Sequence, residues 1–211
     1  MKLPHATIFI VDDDPSVRKS LMRLIRSAGW NAEAFPSARE FLARPPFSGT
    51  GCVVLDVRMP GMTGPELRAQ MIAQKIFLPV VFLTGHSDIP TGVEAMKRGA
   101  VDFLVKPVDS EVLLRAIRLA LERHASEKTL ESERQAIEEH LLRLSPRERE
   151  VMEYIIGGCL NKQVARKLGI AEKTIKVHRG RVMQKMEAGS VAELVRLCEA
   201  NGIKPSSLGA R

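Results

Sequence analysis

Two alternating periodicities in the first 122 residues constrain this chain more than any other feature. Short apolar or β-branched runs, TIFIV (7–11), NAEAF (31–35), CVVLD (52–56), PVVFLT (79–84) and DFLV (102–105), each give way to apolar residues at helical spacing. In 15–29, Val17, Leu21, Leu24, Ile25 and Ala28 share one helical face and Gly29 stops the helix. Ser37 can cap a short helix to Leu42, and 63–74, 91–99 and 109–123 complete a set of five. Strands alternating with helices at this pace predict an α/β fold whose parallel sheet is covered on both faces. CVVLD and PVVFLT read as buried strands, NAEAF as an edge. In the strand order 2-1-3-4-5 the winding reverses between strands 1 and 3, and function gathers beyond the carboxyl ends of such strands.

Charged residues stand at those ends. Asp12 and Asp13 follow strand 1 and Asp56 ends strand 3, so three carboxylates share one pocket. Like charges that close repel, and a cation must join them. Oxygen donors without His or Cys favour Mg²⁺, which takes one or two carboxylates and keeps its waters. Thr84 ends strand 4 and offers a hydroxyl. Lys106 follows strand 5 and offers a cation, and it precedes Pro107, a bond at which a cis peptide is accessible. A carboxylate nucleophile, a divalent ion, a hydroxyl and a lysine are what phosphoryl transfer onto Asp requires.

Beyond Glu122 the composition changes. RHASEKTLESERQAIEEH (123–140) is highly charged and lacks Gly and Pro, which predicts an exposed linker helix. Leu130, Ile137 and Leu144 recur every seven residues, but Arg134 interrupts the seam a coiled coil needs. From Ser145 the pattern is all-helical. Ser145, Pro146 and Glu148 open a helix with a capping box, and Gly157-Gly158 closes it. NKQVARKLG and AEKTIKVHRGRVMQKM form two helices about a turn at 169–171, and SVAELVRLCEANG forms a fourth.

The net charge of +7 is uneven. Residues 1–122 carry 15 Lys/Arg against 13 Asp/Glu, and residues 123–211 carry 17 against 12. Within 161–186 there are eight bases and one acid, which points to a polyanionic partner. Aromatic residues make up only 4%, so base stacking has little to build on. A turn-linked helix pair with a cationic second helix is instead the pattern of a helix-turn-helix. Cys52, Cys159 and Cys198 lack metal or disulfide spacing. No window reaches the roughly 20 apolar residues of a membrane span, and the N-terminus lacks a secretory signal. The expectation is a soluble, cytoplasmic protein.

Residues 1–122 resemble the CheY/flavodoxin-like receiver domain of two-component response regulators. The likeness rests on Asp12/Asp13, LDVRMPGMTG with Asp56, LTGHSD with Thr84, and GAVDFLVKP with Phe103 and Lys106, at 28, 47 and 50 residues beyond Asp56. It implies that Asp56 accepts a phosphoryl group from a sensor histidine kinase. Asp13, Asp56 and the Arg58 carbonyl would ligate Mg²⁺, with Asp12 acting through a metal-bound water. Thr84 and Lys106 would bind the phosphoryl oxygens, and Phe103 would be an aromatic switch. Val108 stands where relatives often carry Phe.

LSPREREVMEYIIGGCLNKQVARKLGIAEKTIKVHRGRVMQKM (144–186) resembles the LuxR-type DNA-binding domain, so the whole chain is similar to the FixJ/NarL family. The implied organisation is a receiver (1–122), a helical linker (123–143) and a four-helix helix-turn-helix domain (144–211). Helix 161–168 is then the scaffold and 171–186 the recognition helix, with Lys173, Thr174, Lys176, Val177, His178 and Arg181 as DNA contacts. Gly180 stands where some relatives place a base-reading lysine. The implied partners are the kinase, double-stranded promoter DNA, RNA polymerase and a second copy of the chain when phosphorylated. The implied outcome is regulation, with activation favoured, of transcription rather than an enzymatic turnover. A competing enzymatic reading takes DDDPS as the D-x-D-x-[T/S] pattern of haloacid-dehalogenase-type phosphatases with Asp12 as nucleophile. The cap insertion and downstream acidic pair of those enzymes are not evident in the sequence.

Overall fold

The structure, a computed structural model, describes residues 6–85 and 101–206. The helix expected over 91–99, and most of LTGHSD, lie outside the described residues. The described chain forms two compact units, Met1–Lys128 and Thr129–Arg211.

In the first unit, β1 (Thr7–Val11), β2 (Asn31–Phe35), β3 (Gly51–Asp56), β4 (Val80–Gly85) and β5 (Asp102–Lys106) form a parallel sheet in the order β2-β1-β3-β4-β5. NAEAF is an edge strand, as its mixed polarity predicts. Successive side chains of a strand point to opposite faces, and β1 and β3 divide their residues accordingly. Ile8, Ile10, Cys52 and Val54 pack on one side with Leu21 and Ile25 of α1 (Pro15–Ser27) and with Leu113, Ile117 and Leu121. Phe9, Val11, Val53 and Leu55 pack on the other with Phe41 of α2 (Ala38–Leu42) and Leu67 and Met71 of α3 (Gly64–Ala73). Each strand feeds two cores, so the central runs are apolar throughout and not alternating.

Caps set the helix starts beside the site. Asp14 accepts from the Ser16 and Val17 N–H groups (2.7 and 3.4 Å), and Thr63 and Glu66 form a capping box at α3. Gly64 is required because a Cβ there would lie 2.4 Å from the Asp56 carbonyl oxygen. The β3–α3 loop thus packs against the end of the strand that carries the acid.

The long helix α4 (Ser110–Leu142) contains both the final receiver helix and the linker in one uninterrupted element. No glycine or proline falls between 110 and 142 to stop it. The division between the two compact units falls between Lys128 and Thr129, within this helix. The reason is local: His124 Nδ1 accepts from the Gly51 N–H at 3.0 Å and Lys128 Nζ donates to the Ser48 carbonyl, so the first linker turns belong to the first unit.

In the second unit, α5 (Pro146–Ile156), α6 (Asn161–Leu168), α7 (Glu172–Lys185) and α8 (Val191–Ala200) surround Val151, Met152, Ile155, Val164, Ile175, Val182, Leu194 and Cys198. Ile137 and Leu144 join that core. Two of the three heptad positions are thereby used within the unit, and Leu130 is left exposed. The three cysteines are free and buried, and burial pushes the Cys52 thiol up to about 12. Among the described residues no helix is long and apolar enough to cross a membrane.

Candidate functional site

Register brings the polar strand ends to one level. Val11 lies opposite Leu55, so Asp12 and Asp56 are the next pair along β1 and β3; Asp56 faces Leu83, and Lys106 faces Gly85. Lys106 Nζ donates to Asp12 Oδ2 and to Asp56 Oδ1, at 2.5 Å each. The other oxygens are also engaged: Asp12 Oδ1 accepts from the Asp14 N–H (2.9 Å) and Asp56 Oδ2 from the Arg58 N–H (2.8 Å). Asp12 is 1% exposed and Asp56 6%. The Lys106–Pro107 bond is cis.

The charges explain the titration behaviour. Burial pushes the Asp56 carboxyl up, outweighing the Lys106 hydrogen bond and charge that favour its ionised form; the Asp12 charge adds to the rise. Burial also works against the Lys106 ammonium, but its two carboxylate partners prevail and hold it above the usual lysine range. Two carboxylates that share one cation are a hard, all-oxygen donor set with no His or Cys, and such a set fits Mg²⁺. Asp13 is exposed, and among the described residues no three His, Cys, Asp or Glu side chains converge as a metal cage.

Thr84 is buried at the end of β4, its hydroxyl donating to the Gly85 carbonyl at 3.0 Å. Phe103 is half-buried, its ring 6.3 Å from that of Phe82. Sequence reading overlooked Arg18, whose Nη1 donates to the Asp12 carbonyl at 2.7 Å and so steadies the residue beyond β1. An arginine six positions on, inside a helix, carries no sequence signal for that contact.

The second site is the pair α6–α7. Gly169, at φ +66°, makes the left-handed turn that ends α6, and the Ile170 N–H bonds back to the Ala165 carbonyl. Ile175 and Val182 turn α7 toward the core. Lys173, Thr174, Lys176, Val177 and Arg181 are exposed; His178 is half-buried, and its Nδ1 is buried without a hydrogen-bond partner among the described residues. The eight bases of 161–186 divide: Lys162, Arg166, Lys167, Lys173, Lys176 and Arg181 are exposed, while Arg179 and Lys185 are half-buried. Arg179 Nη1 donates to Asn161 Oδ1 at 3.3 Å, and Lys185 Nζ to Glu148 Oε2 at 2.6 Å.

Comparisons with known proteins bear on both sites. Residues 8–118 match the family profile described as "Response regulator receiver domain", and 142–198 that described as "Bacterial regulatory proteins, luxR family". The chain is 46% identical to Nodulation protein W of Bradyrhizobium diazoefficiens over 94% of this chain and 87% of that protein. It is 45% identical to the transcriptional regulatory protein FixJ of the same organism, over 93% and 96%. Among solved structures, the response regulator StyR superposes with a TM-score of 0.86 at 46% identity, covering 92% of this chain and 98% of StyR. Full-length FixJ from B. japonicum superposes with a TM-score of 0.58 at 45% identity, over 93% and 97%.

Proposed function

This chain belongs to the response regulators that join a receiver domain to a LuxR-type DNA-binding domain, and on that premise we propose that Asp56 is its phosphoacceptor and that α7 reads promoter DNA. The observation that carries the reading is the Lys106 ammonium bonded at 2.5 Å to both Asp12 and Asp56, at the carboxyl edge of the sheet. Family members receive the phosphoryl group from a sensor histidine kinase. An Asp56 oxygen attacks phosphorus in line, the P–N bond to the kinase imidazole breaks, and an acyl phosphate forms. Lys106, already at Asp56 Oδ1, is placed to follow the new phosphoryl oxygens, and the Thr84 hydroxyl needs only to leave the Gly85 carbonyl to do the same.

Asp12, Asp13, Asp56 and the Arg58 carbonyl would hold Mg²⁺. When bound, Mg²⁺ supplies charge neutralisation at the phosphoryl oxygens. The acyl phosphate adds about −1.5 to −2 charges and three acceptor oxygens to a buried site, enough to shift the receiver, with Phe103, between two states. The shifted state pairs with a second copy, as two half-sites on DNA require. Lys173, Lys176 and Arg181 then meet phosphates, while Thr174, Val177 and His178 face base edges. The product is a cytoplasmic, phosphate-controlled regulator, with activation of RNA polymerase the favoured outcome.

A gel-shift titration with acetyl phosphate and Mg²⁺ tests this. The donor is expected to tighten DNA binding by the natural chain and to leave Asp56→Asn unmoved. Peptide mapping that places the phosphoryl group on Asp12, or steady turnover of phosphomonoesters, would overturn it in favour of a phosphatase.

A further inference from the structure

The basic segment of the second unit does not act as one surface. Six of its eight bases are exposed, but Lys185, the last residue of α7, turns inward. Its Nζ donates to Glu148 Oε2 at 2.6 Å and to the Arg143 carbonyl at 3.0 Å. Glu148 is only 3% exposed. The same Glu148 oxygen accepts the Ser145 N–H at 2.9 Å, and the Ser145 hydroxyl accepts the Glu148 N–H at 3.2 Å. One carboxylate therefore gathers the end of α7, the start of α5 and the turn after α4. The Lys185 hydrogen bond, together with the bonds between Glu148 and Ser145, outweighs burial and pulls the Glu148 carboxyl down to about 2.

An ion pair whose lysine side chain is 36% exposed is weak evidence for stability, because solvent screens much of its attraction. Its attested use is to fix one arrangement among several of similar energy. Besides the Arg179–Asn161 hydrogen bond at 3.3 Å, α7 meets the core through apolar contacts, which carry no direction of their own. Ile175, Val182 and Met186 form one stripe, and a stripe of aliphatic side chains tolerates sliding and rotation better than a bonded lysine does.

We infer that Lys185 and Glu148 are positioning residues that set the rotation and depth of the recognition helix, and that Lys185 makes no DNA contact. The inference rests on the DNA-binding reading above, and its test separates the two. The full chain, with acetyl phosphate and Mg²⁺ throughout, enriches a duplex from a random library. That duplex and a scrambled one are titrated between about 50 and 200 mM KCl, the range over which phosphate contacts are felt.

Lys185→Met is expected to lower affinity for the enriched duplex about tenfold or more, to leave the scrambled duplex within about twofold, and to leave the slope of log K against log[salt] unchanged. Lys176→Met, the exposed comparison, is expected to flatten that slope by about 0.9. Glu148→Gln should follow Lys185→Met, and the double variant should be no worse than either, as for members of one unit. Lys185→Met leaves a buried carboxylate without its partner, so the double variant carries the measurement if the single one unfolds. A flattened slope in Lys185→Met would assign the lysine to a DNA phosphate. Unchanged selectivity in the folded variants would make the pair merely stabilising. Either result overturns the inference. Failure of the natural chain to enrich any duplex would remove the DNA-binding reading and this inference with it.

Discussion

Asp12 just beyond β1, Asp56 at the end of β3 and Lys106 at the end of β5 meet as two carboxylates on one ammonium. Two buried carboxylates with no cation repel and lack solvation. Lys106→Ala in metal-free buffer is therefore expected to destabilise the first unit by about 3 kcal/mol, the lower end of the range for breaking a buried pair, since the lysine side chain is 23% exposed. Urea denaturation of the two proteins measures it. Glu148 shows the opposite balance, because its partners win over burial. Its folded value of about 2 lies below the ordinary glutamate value of about 4.3. Above that ordinary value the carboxylate is charged in both states and its stabilisation is complete. As pH falls toward 2 the unfolded chain takes up a proton that the folded one refuses, and the stabilisation drains away. Glu148→Gln should unfold at lower urea than the natural chain at pH 6, and the gap should close as pH approaches 2.

At the scale of elements, α4 is the case in which local pattern and tertiary use diverge. Leu130, Ile137 and Leu144 are equivalent in a heptad, but Ile137 and Leu144 enter the core of the second unit and Leu130 stays in solvent. Ile137→Ala should accordingly cost about 2–4 kcal/mol of that unit's stability, as large-to-small core changes do. Leu130→Ala should stay within about 0.5 kcal/mol, as surface changes do. A coiled coil would reverse the emphasis, with both variants shifting a monomer–dimer equilibrium in sedimentation. The helix-turn-helix has the same character. Gly169 and the capping box at Ser145 are local devices, readable in sequence. The inward turn of Arg179 and Lys185 is not, because a lysine at the end of a cationic helix looks the same whether it faces DNA or a buried glutamate.

At the scale of the molecule, each unit has cores of its own, and the receiver's two flank one sheet. Domains with separate cores unfold as separate cooperative steps. Calorimetry should resolve two transitions, with Val54→Ala lowering only one and Val151→Ala only the other; a single transition lowered by both would show one cooperative body.

The sequence by itself determined the alternation of strands and helices, the acidic strand ends, the helix caps and the basic C-terminal segment. These depend on periodicity, turn chemistry and charge, all of which are local. Tertiary structure alone decided that Lys106 bridges Asp12 and Asp56 across 94 and 50 residues while Asp13 faces solvent, that Ile137 and Leu144 of the heptad serve a globular core, and that the Lys185 ammonium meets Glu148. Each of those outcomes depends on which surface a side chain meets, and a partner distant in the chain leaves no periodic trace around either residue.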